Sequence, residues 1–286
     1  MNTVPSFKNS ILILLLVGAL LLTGCGNTAP SADDRSEMSP SLIVVFFPVG
    51  KADAILLQTE NTSVLIDAGE KKTSKALISA LRELGVSELD CLILTHFDKD
   101  HVGGAAHVLE NIPVRQVLQS SYMKESDEVD AYLTALEKAG LGAETVREEL
   151  SFSLDGVQFT VEPPEEEEYA DDPSNNASLI VTAGCGERRL LFLGDAENAR
   201  LNEWMSVDRG HYDLIKMPHH GSWHKPLKAL LEMTQPAYAV ITSSDAEPED
   251  EKTVDLLETW HVETFLTRRS AVRFSCDGST LTGSYF

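Results

Sequence analysis

Basic residues are scarce in this chain. Lys and Arg number 23 against 45 Asp and Glu, a formal charge of −22, so the surface repels polyanions within the screening length and nucleic acid is an awkward partner. Cysteine is scarcer still: Cys25, Cys91, Cys185 and Cys276 make neither a Cys-x-x-Cys pair nor zinc-ribbon spacing. No Gly-x-Gly-x-x-Gly or Walker loop is found, which removes the common nucleotide-cradling folds, and no internal repeat is found either. Histidine is absent between His107 and His211. What is there is ordinary for one soluble domain: 286 residues with 43% hydrophobic content.

The N-terminus reads as a leader. Lys8 precedes an apolar run, Ile11 to Leu22, that is too short to span a bilayer comfortably and has the look of a signal-peptide core. It ends on Leu22-Thr23-Gly24-Cys25, which resembles the bacterial lipobox, where the leader is removed and the cysteine carries lipid. An uncleaved anchor with an incidental Cys25 is the alternative, and both place the domain outside the cytoplasm. The following "GNTAPSADDRSEMSPS" is small and polar and cannot bury enough apolar surface to fold. The expected organisation is a signal peptide over 1–24, a tether over 25–41 and one globular domain over 42–286. Lipidation of Cys25 would leave an odd count of three cysteines, against a disulfide framework, and Cys91 in "CLIL" reads as a small buried hydrophobe.

From Leu42 onward, β-rich runs alternate with helical stretches. "SLIVVFFPV", "DAILLQT" and "TSVLIDAG" predict an antiparallel meander, and "KTSKALISALRELG" a helix with a glycine stop. "DCLILTH" carries no alternation, as expected of a strand buried on both faces. Helix, strand and helix follow in "GGAAHVLENI", "RQVLQS" and "EVDAYLTALEKAG". In the second half "ASLIVTAG" and "RRLLFLGD" predict a hairpin, "DLIKMPHH" and "AYAVITSS" strands, "KTVDLLETW" a helix, and "AVRFSCDGSTLTGSY" a closing hairpin. Two face-to-face sheets with helices outside suit two β-rich halves, an α/β architecture.

Chemistry concentrates at "LTHFDKDHVGG", Leu94 to Gly104. His96-x-Asp98-x-Asp100-His101 puts two imidazoles and two carboxylates at the exit of a buried strand, where they would repel or bond poorly without a cation. A divalent metal is the expected answer. Asp195 follows the apolar "LLFLG" and is either a further ligand or the N-cap of the helix in "AENARLNEW".

These residues resemble the His-x-His-x-Asp-His signature of the metallo-β-lactamase fold, with Asp98 in the second position as in the extracellular hydrolase domain of competence DNA-uptake proteins. Other stretches resemble that family in the same order: "FFPVGKADAILLQ" with Asp53, "VLIDAG", "NNASLIV", "RRLLFLGDAE" and "LIKMPHHGS". The resemblance runs from about Leu42 to Phe274 and implies a four-layer αββα sandwich binding two divalent ions, zinc or manganese. Carried over, Asp195 bridges both ions, one of which takes His96 and Asp98. The other takes Asp100, His101 and one of His219 and His220, with His219 preferred. A water shared by the ions would lose a proton and attack a phosphoryl or carbonyl centre, with Asp100 and Asp195 the catalytic carboxylates. Asn176, Lys216, His220 and Ser222 are candidates to hold substrate, Lys216 alternatively being a strand-edge surface lysine. The first ion is one ligand short, a place that Asn175, Asn176 or Ser178 would have to fill. Lys51-Ala52 and Glu247-Pro248 also depart from the family's usual Gln-Gly and Gly-His-Pro. His107 and His261 read as structural, on a helix face and at a strand start.

The resulting expectation is a lipid-anchored extracytoplasmic metallohydrolase, a phosphodiesterase or nuclease. The acidic "EPPEEEEYADD", Glu162 to Asp172, argues against long polyanions if it borders the site, which keeps small ester or lactone substrates open. A non-catalytic metal-binding or scaffolding lipoprotein is the alternative from another class.

Overall fold

The computed structural model describes residues 41–286; the expected leader, Cys25 and all but the last residue of the tether lie outside the described residues. Strands β1 (Leu42–Phe46), β2 (Ile55–Gln58) and β3 (Ser63–Ile66) form the expected antiparallel meander. After α1 (Ser74–Glu83) the sheet continues in parallel through β4 (Leu89–Leu94), β5 (Val114–Gln119) and β6 (Ala143–Thr145). Between these come α2 (Lys99–Val102), α3 (Ala105–Asn111) and α4 (Asp127–Ala139). Ser126 caps α4 by accepting from Val129 N, and Gly140 ends it with φ 68°.

The second sheet begins with β7 (Leu150–Leu154) and β8 (Val157–Glu162). It continues through the short α5 (Pro173–Asn176) to the hairpin β9 (Ile180–Cys185) and β10 (Arg188–Phe192). Then α6 (Asn198–Trp204), α7 (Leu227–Thr234) and α8 (Glu251–Thr259) alternate with the parallel strands β11 (Leu214–Lys216), β12 (Tyr238–Ile241) and β13 (Glu263–Leu266). The closing hairpin β14 (Val272–Cys276) and β15 (Leu281–Tyr285) does not stay with this half. It returns to the first sheet, where β14 pairs antiparallel with β1. The sheets therefore have eight and seven strands, in orders β15-β14-β1-β2-β3-β4-β5-β6 and β13-β12-β11-β10-β9-β8-β7.

Period-two side-chain direction explains the unbroken apolar runs. Phe46, Ile93 and Phe192 point into a core shared by both sheets, and the Phe46 and Phe192 rings lie 6.1 Å apart. Their neighbours Val45, Leu92 and Leu94 instead pack under α1, α3 and α4, while Leu191 and Ile215 pack under α6, α7 and α8. Strands buried on both faces between two helical layers make the expected αββα sandwich. Among the described residues no helix is long and apolar enough to cross a membrane.

β3 and β4 end at the same edge of the sandwich as β10, β11 and β12. The carboxyl ends of parallel strands in both sheets thus deliver loops to one place.

Candidate metal centre

The loop after β4 is pinned before it reaches the site. Ala68 N donates to His101 O at 2.8 Å and Gly104 N to Gly69 O at 2.9 Å. A Cβ on Gly104 would stand 2.1 Å from Ala68 O, so this close backbone approach excludes any side chain there. That is why glycine follows the His/Asp cluster.

Three histidines are oriented by one recurring device. Asp67, whose φ is 57°, accepts from Thr95 N at 2.8 Å and from Thr95 Oγ1 at 2.7 Å, and its Oδ2 lies 2.8 Å from His101 Nδ1. The carboxylate fixes His101 as the Nδ1–H tautomer and leaves Nε2 to face inward. Thr95 Oγ1–H already donates to Asp67, so at 3.1 Å its oxygen accepts from His96 Nδ1 and His96 likewise presents Nε2. Across the site Thr242 Oγ1 donates to Asp53 Oδ1 at 2.6 Å and lies 2.9 Å from His220 Nδ1, so the third imidazole also turns Nε2 inward.

The inward atoms converge on Asp195. His101 Nε2 is 3.2 Å from its Oδ1, His220 Nε2 is 3.1 Å from its Oδ2, and His220 Nε2 is 3.3 Å from Asp100 Oδ2. Asp53, His101, Asp195 and His220 bring one donor atom apiece within 4.8 Å of each other. Of these, Asp53 stands on the Nδ1 side of the imidazoles, ion-paired with Lys216 and bonded by Thr242, so it orients rather than faces the centre. His96 Nε2 and Asp195 Oδ1 are buried with no hydrogen-bond partner. A set of nitrogen and carboxylate donors with two orphaned members fits a divalent first-row ion.

Protonation follows the same logic. Burial, and then the charge on His101, pushes His96 down to about 4, leaving it neutral. Burial also opposes charge on His220, but Asp195 and Asp100 outweigh it and raise the group to about 10; His101 is raised well above its ordinary value by Asp195 and Asp67 against burial. Burial resists ionising Asp100, yet His220 and His101 bring it down to about 2, and the same two histidines hold Asp195 well below the carboxylate range. Without a cation, protons on the imidazoles supply the positive charge that the carboxylates demand.

Asp100, His101 and Asp195 lie together and the His96 ring stands 4.0 Å from that of His101, but His219 and His220 exchange parts. Both adopt left-handed φ, 45° and 53°, in the 3₁₀ turn Pro218–Gly221. His220 enters the centre fully buried, whereas His219 Nδ1 lies 3.0 Å from Glu197 and its Nε2 is 4.0 Å from Asp195. The preference for His219 as ligand, and His220 as substrate holder, is thus reversed by the geometry. Asp98 stays at the rim, where Oδ1 accepts from Lys124 at 2.9 Å and from Ser174 at 2.5 Å.

Lys216 is neither a surface lysine nor a substrate contact. It is fully buried, ion-paired with Asp53, and donates to Gly194 O at 3.0 Å. Asn176 is buried too, its amide spent on the backbone of Asp171, Asp172, Glu197 and Arg200. Ser222 is half-buried beyond the turn. Glu197, not Asp195, is the N-cap position of α6, so the helix-cap alternative for Asp195 falls away. His107 Nδ1 lies 2.7 Å from Ser74 Oγ, a structural contact, and exposed His261 sits in the turn before β13 with φ 56°. Of the acidic stretch only its last residue, Asp172, reaches the rim: it lines a cleft of about 200 Å³ with Asp98, Tyr122, Lys124 and Asn175, while Glu162 at the other end is engaged by Arg200, Trp204 and Arg209. Thr95 and Thr242 carried no signal beyond adjacency, because a threonine after an apolar strand is unremarkable in sequence.

Residues 48–243 match the Metallo-beta-lactamase superfamily. Curated relatives include ComE operon protein 3 of Bacillus subtilis, 32% identical over 59% of this chain and 22% of its own length. Competence protein ComA of Neisseria gonorrhoeae is 27% identical over 79% of this chain and 30% of its own length. Recombination protein 2 of Haemophilus influenzae is 25% identical over 73% and 25% respectively. The chain thus spans less than a third of the length of the relatives it matches. Among solved structures, the metallo-beta-lactamase fold protein YhfI of Bacillus subtilis aligns with a TM-score of 0.56 at 9% identity, over 86% of this chain and all of that one. CmlA beta-hydroxylase aligns at 0.52 and 14% identity, over 82% and 53%. With the family match running through Asp53, the His96–His101 loop, Asp195 and His220, the chain belongs to the metallo-β-lactamase superfamily.

Proposed function

We propose that this domain is a metal-dependent hydrolase of phosphodiesters, held outside the cytoplasm by a lipidated Cys25. One observation carries the hydrolytic reading: three buried imidazoles are each held through Nδ1, and two of them, His101 and His220, bring Nε2 to the carboxylate of Asp195, while the His96 ring lies 4.0 Å from that of His101 with its own Nε2 unpartnered. Asp100, His101, His220 and Asp195 would hold one ion; His96 and the shared Asp195 are the donors available to a second. When bound, such ions lower the pKa of a water and stabilise charge developing on a phosphoryl or carbonyl oxygen. The chain's own residues do the rest. Asp67, Thr95 and Thr242 fix the imidazole tautomers, and Lys216 keeps Asp53 ionised behind them. Lys124 and Tyr122 line the cleft where a substrate would rest, beside the acidic Asp98 and Asp172. The competence names of the relatives favour a phosphodiester; the acidic rim favours a short or small one over long DNA.

A second reading has its own support. Asp98 is engaged by Lys124 and Ser174, which suits a centre of one ion and a binding or scaffolding role. Metal analysis of chelator-free protein, together with phosphodiester and ester reporter assays, separates the two. Turnover that disappears with chelator and returns with Zn²⁺ or Mn²⁺ supports the hydrolase. Bound metal with no turnover of any reporter supports the scaffold.

A further inference from the structure

Beside the first centre lies another nest of donors. Glu197, His219 and His224 each place a donor atom within 4.8 Å of the other two. They come from the start of α6, the left-handed 3₁₀ turn and the approach to α7, three separate points of the second sheet's helical side. His224 is only 7% exposed and its Nε2 has no hydrogen-bond partner. His219 Nδ1 is buried, and although 3.0 Å from Glu197 Oε1 it is out of line for a hydrogen bond. Asn175, whose Nδ2 donates to Glu197 at 2.9 Å, has a buried Oδ1 that is likewise unpaired.

We propose that Glu197, His219 and His224 form a separate binding site for a borderline first-row divalent cation such as Zn²⁺. Two imidazoles and one carboxylate are a common donor set for such ions, and three protein ligands leave positions open to water or an anionic oxygen. His219 Nδ1 and His224 Nε2 are both without a hydrogen-bond partner, and a cation serves these two and Glu197 at once. The nest adjoins the first centre without sharing a residue with it: the consecutive left-handed residues set their rings edge to face at 6.1 Å and 66°, and His219 Nε2 lies 4.0 Å from Asp195. His219 and His224 stack on each other at 5.5 Å, whereas His220 faces Asp100 and Asp195. The site stands apart from the hydrolytic reading, since it uses none of the residues assigned to that centre.

The test uses the full chain loaded with Zn²⁺ and its anomalous diffraction. A peak among Glu197, His219 and His224 is expected, with a loss of about one metal equivalent in His224→Ala while the peak at His101 and Asp195 persists. His220→Ala should do the reverse, losing the first centre and keeping the outer ion, which separates failure of this site from failure of the first. Where His224→Ala does not fold, Glu197→Gln takes its place with the same expected loss. No peak among the three residues at saturating Zn²⁺, or an unchanged metal count in the folded variant, overturns the proposal.

Discussion

Asp67 Oδ2 lies 2.8 Å from His101 Nδ1, both side chains fully shielded from water. The carboxylate never faces the proposed ion, yet it chooses which imidazole nitrogen does. Asp67→Asn removes the charge and should lower metal affinity about 10–100-fold, the usual cost of disturbing a group behind a ligating histidine. Competition with a chromophoric chelator measures this; an unchanged affinity would mean that His101 is not a ligand.

Lys216 and Asp53 are a buried ion pair at the bottom of the centre. Lys216→Met strands the carboxylate without its cation and should cost about 3–5 kcal/mol, seen as a lower urea midpoint. The double variant with Asp53→Asn should recover much of that loss, because the uncompensated charge is gone. Equal destabilisation in the single and double variants would assign the loss to packing instead.

The metal-free protein should have opposed pH limits. His220 is raised from 6.5 to about 10, so its stabilisation is complete below pH 6.5 and lost as pH climbs toward 10. His96, lowered from 6.5 to about 4, acts in the opposite sense: stability present above 6.5 drains away as pH falls toward 4. Asp100, lowered from 3.8 to about 2, extends that acid loss further. A bound metal ion would take the place of the His220 proton, so thermal melts of loaded protein should lack the alkaline decline that chelated protein shows.

His220→Ala should abolish both the tight metal-binding event and turnover of the phosphodiester reporter, whereas Ser222→Ala should change neither by more than a few-fold. Calorimetric titration of both variants decides the matter. Retained tight binding in His220→Ala would return the ligand role to His219.

The anchoring proposal lies in residues 1–40. Cys25→Ala should shift the chain from the membrane fraction to an unprocessed or soluble form, and lipid labelling that survives the change refutes it.

The sandwich was readable because its strands are apolar on both faces, a composition that distinguishes "CLIL" or "LLFL" from surface strands. Strands β6, β7 and β8 were not read: β6 has three residues and β7 is half-exposed, while the alternation in β8, Val157–Glu162, was passed over beside the acidic run that follows it. The return of β14 to β1 was also invisible, since a strand's partner is set by long-range packing and not by its own residues. At the site, spacing made the Asp/His cluster conspicuous. Which of His219 and His220 turns inward depends instead on two left-handed backbone angles, and those follow from the turn as a whole. Lys216 read as a substrate contact or a surface lysine for a similar reason: its buried partner, Asp53, is remote in sequence.

The pairing of β14 with β1 sets an order on folding. Residues 42–46 find one neighbour at once in β2, but the other only when residues 272–276 arrive. A chain made N-terminus first therefore keeps that edge of β1 bare, and its first sheet incomplete, until nearly all of the domain is present. Closure by so distant a segment raises the loop-closure entropy of the fold and makes folding slow.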